Sequence, residues 1–82
     1  MTGSTKDERF IIRVYEVALN TGDINTPVDR YHVGKTINQS ERMVDTICAL
    51  LIRANFIKRA DGSNIYLTPQ GEQLALRLLS EN

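Results

Sequence analysis

Apolar residues recur along this chain in two rhythms, and the change of rhythm divides it. Phe10, Ile11, Val14, Tyr15, Val17, Ala18 and Leu19 form a broad helical surface and predict a first helix over residues 6–20. Val28 and Tyr31, with Val33 or Gly34, predict a second over 27–37. The three-then-four step from Val44 to Ile47 to Leu51 lays one stripe on a third helix, 41–54. Leu74, Ala75, Leu76, Leu78 and Leu79 mark a last helix over 69–80. Between the third and last helices the rhythm shortens. Two short runs, 56–60 and 63–67, flank Asp61-Gly62, and this predicts a β-hairpin closed by a two-residue type I′ turn, whose central residues both take positive φ.

Polar residues at the breaks supply the caps. Ser4 or Thr5 suits the start of the first helix, Asp7 and Glu8 suit the positive end of its dipole, and Gly22 ends it. Thr26, with Pro27 next and Asp29 three residues on, resembles a capping box with Asp in place of Glu. Ser40 is the expected N-cap of a helix beginning at Glu41, and Thr68-Pro69 opens the last helix. Asn38-Gln39-Ser40 therefore separates two short helices by a tight polar turn, a helix-turn-helix arrangement. Gly34 fits a close approach of the two helices.

The stretch 33–59 resembles the core of winged-helix transcription regulators of the MarR and PadR type. In them a helix ends in such a turn, a recognition helix follows, and an exit like Asn55-Phe56-Ile57-Lys58-Arg59 leads into a strand. Ile65-Tyr66-Leu67-Thr68-Pro69-Gln70-Gly71 resembles their second wing strand and the Leu-Thr-Pro-x-Gly start of their last helix. The resemblance covers most of the chain. It implies a mainly α winged helix with a small β-hairpin: a three-helix core, a two-stranded wing and a C-terminal helix. Residues 6–82 would form this one domain after a flexible stretch, 1–5. It also implies double-stranded DNA as partner, a role in transcription regulation and action as a homodimer. The wing departs from the pattern, being short and lacking the tip arginine that those repressors place near the minor groove.

If Val44, Ile47, Cys48 and Leu51 face the core, then Glu41, Arg42, Asp45, Thr46 and Ala49 face outward. Arg42 can reach guanine or phosphate, and Thr46 a thymine methyl or phosphate. Asn38, Gln39 and Ser40 stand at a helix N-terminus, where amides and polar side chains meet phosphate. Glu41 and Asp45 repel the DNA backbone, although an acid can accept from cytosine. Lys58 and Arg59 charge the wing, and Ser63 and Asn64 add donors. The plain alternative for the same face is a solvated helix surface.

The apolar surface of the first helix is too broad for one partner helix, so either both its flanks are packed or one side meets another chain. Phe10 and Val14, with Leu76 and Leu79 of the last helix, are the candidate dimer interface. Leu50 and Ile52 either fill the core or mark a partner surface. Two functions of different class result. One is a dimeric DNA-binding regulator. The other is an interaction module that docks a protein partner through its acidic third helix or its exposed leucines.

Eighty-two residues make one small domain. Ten basic and ten acidic residues cancel, which counts against strong DNA binding by a monomer and towards the interaction module, although a local patch outweighs the sum. Cys48 is the single cysteine and reads as a small core residue; His32, the single histidine, reads as an ordinary, partly exposed side chain. The chain shows no metal-ligand spacing, no nucleophile with a base nearby and no phosphate-cradling glycine loop. It is therefore expected not to be an enzyme and to use no cofactor. No stretch approaches the roughly 20 apolar residues of a membrane helix, and the polar N-terminus does not read as a signal peptide, so a cytoplasmic location is expected.

Overall fold

Thr5 opens the first helix. Its hydroxyl accepts from the Glu8 amide at 3.1 Å while the Glu8 carboxylate accepts from the Thr5 amide at 3.3 Å. This reciprocal capping box starts α1, Lys6–Thr21, in the computed structural model, which describes residues 5–81. Thr5 is thus the cap rather than loose chain, whereas the rest of the expected flexible stretch, Ser4 included, lies outside the described residues. Gly22 is the C-cap, as its position implied.

α1 is the spine of the core. It packs against the helices and sheet described below, and Phe10, Ile11 and Val14 are completely buried. Both flanks of the helix are therefore packed within the chain. Phe10 and Val14 have no surface to offer a second copy, which corrects their placement at a dimer interface.

The second helix departs from expectation. Residues 27–29 are not its first turn. Val28–Asp29 is a short strand, β1, and the helix α2 spans Arg30–Thr36. Thr26 does not cap it; the Thr26 hydroxyl instead accepts from the Asp23 amide at 2.9 Å inside the preceding loop. Asp29 is the N-cap, accepting from the Tyr31 amide at 3.0 Å. The physical reason is a partner distant in sequence. β1 pairs antiparallel with β3, Asn64–Leu67, in the register Val28↔Ile65 and Asp29↔Asn64, and the Arg30 amide donates to the Ser63 carbonyl. Pro27, which lacks an N–H, precedes the paired segment, where it breaks no ladder bond.

Both turns that frame α3, Glu41–Arg53, use an asparagine in the left-handed region: Asn38 at φ 62° and Asn55 at φ 66°. After α2 the Gln39 amide donates to the Gly34 carbonyl and the Asn38 amide to Lys35. After α3 the Phe56 amide donates to Leu51 and the Asn55 amide to Ile52. Each is a complete Schellman closure, in which asparagine replaces the usual glycine because its short polar side chain tolerates that conformation. Ser40 caps α3 as anticipated, accepting from the Met43 amide at 3.2 Å.

The hairpin pairs β2, Ile57–Arg59, with β3 in the register Ile57↔Leu67, Lys58↔Tyr66 and Arg59↔Ile65, so the sheet has three strands in the order β1-β3-β2. The expected wing of two strands is thus extended by β1. Gly62 has φ +60° but Asp61 is not in the positive-φ region, so the turn is not type I′. The register instead centres a longer loop on Gly62, held by the Ala60 amide donating to Asn64 and the Asn64 amide donating to Asp61.

α4, Pro69–Ser80, begins at Thr68, whose hydroxyl accepts from the Gly71 amide at 3.0 Å, and it packs along α1. Gly71 is there because the Phe56 carbonyl lies where a side chain would start. Ala75 and Leu78 turn inward. No helix among the described residues is long and apolar enough to cross a membrane.

Candidate nucleic-acid interface

α3 turns Val44, Ile47, Cys48 and Leu51 into the core and leaves Glu41, Arg42, Asp45, Thr46 and Ala49 exposed, as its stripe implied. Ser40 and Asn38 are exposed at its N-terminal end, with Gln39 half-buried between them. Arg42 engages no other side chain among the described residues and is free to reach outward. The Thr46 hydroxyl donates back to the Arg42 carbonyl at 3.2 Å, so its methyl group and its lone pairs are what it presents.

The hairpin divides the expected wing residues. Arg59 and Ile65 are paired, and both line a cleft of about 300 Å³ between α3 and the sheet. Lys58 is exposed too, but alternation puts it with Tyr66 on the other side of the hairpin, near Asn25 and Asn55. Ser63 is committed locally, its hydroxyl donating to Asp29 at 2.9 Å, and Asn64 lies opposite Asp29 in the sheet. Of the wing residues, Arg59 therefore shares the α3 side; Lys58 does not, and Ser63 serves the fold.

Asp45 does not stand alone on the outward face. Tyr31 Oη donates to Asp45 Oδ1 at 2.7 Å and Arg30 Nε to the same oxygen at 3.4 Å, while an Arg30 terminal nitrogen donates to Tyr31 Oη at 3.1 Å. The Arg30 guanidinium also lies 4.7 Å from the centre of the Tyr31 ring. The hydrogen bond to Asp45 raises the Tyr31 pKa. Burial works against the Arg30 charge, but its bonds to Tyr31 and Asp45 outweigh that and hold its pKa above the ordinary value. Burial also opposes the charge on Asp29, yet its bonds from Ser63 and the Tyr31 amide keep its pKa low, so the cap that launches α2 stays ionised.

Sequence reasoning missed Arg30 and Tyr31 because it continued a helix through residues 27–29. The strand there redirects the chain so that the first residues of α2 meet α3. A two-residue strand has no periodic signal; the nearest hint was Val28 following Pro27. Cys48 is buried at the same cleft, and burial pushes its thiol up to about 11, as suits a structural cysteine. His32 is exposed, in keeping with an ordinary surface side chain.

No family model matches the sequence, and no curated protein matches it. Among solved structures, the crystal structure of SSV1 F-93 superposes with a TM-score of 0.64, covering 99% of this chain and 91% of that chain at 19% sequence identity. Likeness at that identity is a likeness of fold. The fold is winged-helix-like: mainly helical, with four helices and a small three-stranded antiparallel sheet.

Proposed function

We propose that this chain is a small winged-helix DNA-binding protein, similar to regulators of the MarR and PadR type, that acts as a dimer in transcription regulation. One observation carries the reading. The outward face of α3 presents Arg42 and Thr46 beside the Ser40 cap, and Arg59 flanks the same side across an open cleft. In this reading α3 enters the major groove with its N-terminal turn nearest the bases, and Arg59 meets the adjacent backbone. The pairing of Asp45 with Arg30 supports it, because a carboxylate held by a guanidinium repels phosphate less than the charge count implies.

The test is a fluorescence titration with random-sequence duplex DNA at roughly 50 and 200 mM salt. Binding that weakens steeply with salt supports the regulator. No binding at the lower salt favours an interaction module. That second reading draws on the apolar groove formed by Leu50, Leu51, Phe56 and Leu74, which Asp7 and Glu8 border.

A further inference from the structure

The outward face of α3 carries two acids, but they are not equivalent. Glu41 has no partner among the described residues. Asp45 receives hydrogen bonds from both Tyr31 and Arg30 across the junction of α2 and α3. Arg30 is the more enclosed partner, with 17% of its side chain exposed against 55% for Asp45. Its guanidinium is fixed on three sides: by the Tyr31 ring, by Tyr31 Oη and by Asp45 Oδ1. Its backbone is fixed as well, since the Arg30 amide is bonded to the Ser63 carbonyl of the hairpin loop.

Arg30 also lines the cleft that Arg59 borders from β2. Two guanidiniums and one carboxylate leave this cleft with one net positive charge. An arginine already held in one geometry loses little rotamer freedom when it meets an anion, and its planar fork suits phosphate oxygens.

We propose that Asp45 and Tyr31 are positioning residues that hold Arg30 ready to bind, together with Arg59, one backbone phosphate of duplex DNA between α3 and the hairpin. This rests on the DNA-binding reading above and deepens it. Asp45 then reads no base. It contributes through Arg30, although its own charge is of the wrong sign for DNA.

The experiment is a double-mutant cycle on binding of a labelled random-sequence duplex at two salt concentrations, with thermal melts to show that each variant is folded. The variants are Asp45→Asn, Tyr31→Phe, Arg30→Ala and Arg30→Ala with Asp45→Asn. Asp45→Asn and Tyr31→Phe are each expected to weaken binding by about two- to tenfold, the cost of ordering one long side chain on binding. Arg30→Ala is expected to lower the salt slope by about one. In the Arg30→Ala background Asp45→Asn is expected to leave binding unchanged or tighten it, because nothing is left to position.

Tighter binding by Asp45→Asn in the otherwise unchanged protein would overturn the proposal, since Asp45 would then merely repel phosphate or sequester Arg30. An unchanged salt slope in Arg30→Ala would overturn it too. Absence of salt-dependent binding by the unaltered protein would instead sink the DNA-binding reading, and the phosphate site with it.

Discussion

Gly34 of α2 lies against the Val44 side chain of α3, so close that a Cβ at position 34 would overlap one Val44 methyl group. Both residues are buried, and the contact sets how tightly the two helices of the helix-turn-helix approach. Gly34→Ala is expected to destabilise the fold by about 1–3 kcal/mol in denaturant unfolding, despite alanine's higher helix propensity. Val44→Ala opens the space the new methyl needs. The double variant should therefore lose less stability than the two single losses added together. Simple additivity would mean that Val44 shifts away at no cost.

Thr68 joins three elements through one hydroxyl. It is buried, donates to the Asn55 carbonyl at 2.6 Å and accepts from the Gly71 amide at 3.0 Å. Thr68→Val keeps the shape but leaves both backbone groups without that partner, an expected loss of about 2–3 kcal/mol by thermal or chemical unfolding. Thr68→Ser retains both bonds and should lose clearly less. Equal losses in the two variants would show that the methyl group matters rather than the hydroxyl.

Much of the fold is legible in the chain because its signals are local. The Ser40 and Thr68 caps, the inward stripe of α3 and the hairpin around Gly62 each depend on residues within a few positions. What escapes depends on pairing at long range. β1 exists because residues 28 and 29 find β3, and without β1 the contact between Arg30 and Asp45 cannot be foreseen. The breadth of the apolar surface on α1 was equally ambiguous. It shows that several neighbours are needed, not whether they belong to the same chain, and here they do. In the wing, strand alternation was the usable signal: neighbouring residues 58 and 59 had to point to opposite faces.

Cys48 offers a titration test. Burial is the main cause of its shift from 9.0 to about 11, with Asp45 adding to it and Arg30 and Arg59 opposing it. The folded protein therefore holds the thiol proton more tightly than the unfolded chain. That contribution to stability is fully present below about pH 9 and is lost as pH rises towards 11, amounting to about 2 kcal/mol across the window. Unfolding free energies measured between those limits should fall more steeply for the unaltered protein than for Cys48→Ala. Parallel curves would assign the loss to tyrosine and lysine titration instead.

The proposed self-association would fall to α4 rather than α1. Leu76 is 44% exposed and Leu79 is half-buried, whereas Phe10 and Val14 are sealed inside. If α4 forms the dimer, Leu76→Glu places a charge in an apolar contact and should give a monomer by sedimentation at tens of micromolar protein. Its thermal stability measured in the monomeric range should stay nearly unchanged, because the site is a surface one. A monomer already present in the unaltered protein would remove the dimer, and with it the expectation of a palindromic site.

Arg42 and Arg59 should fail in different ways. Arg42 projects from the first turn of α3 beside the Ser40 cap, where a major-groove helix meets base edges. Arg42→Ala is expected to cost about 1–3 kcal/mol on a preferred duplex and less on random sequence, relaxing the preference. Arg59 stands across the cleft on β2, so Arg59→Ala should weaken all sequences alike and lower the salt slope by about one. Glu41 supplies the control of sign. It is exposed and has no partner among the described residues, so in the DNA-binding reading Glu41→Gln, which removes a charge that repels phosphate, should leave binding unchanged or tighten it. Weaker binding by Glu41→Gln would mean that the acid accepts from a cytosine. If Glu41→Gln abolished capture of a protein partner while Arg42→Ala left DNA binding untouched, α3 would be a protein-docking surface instead.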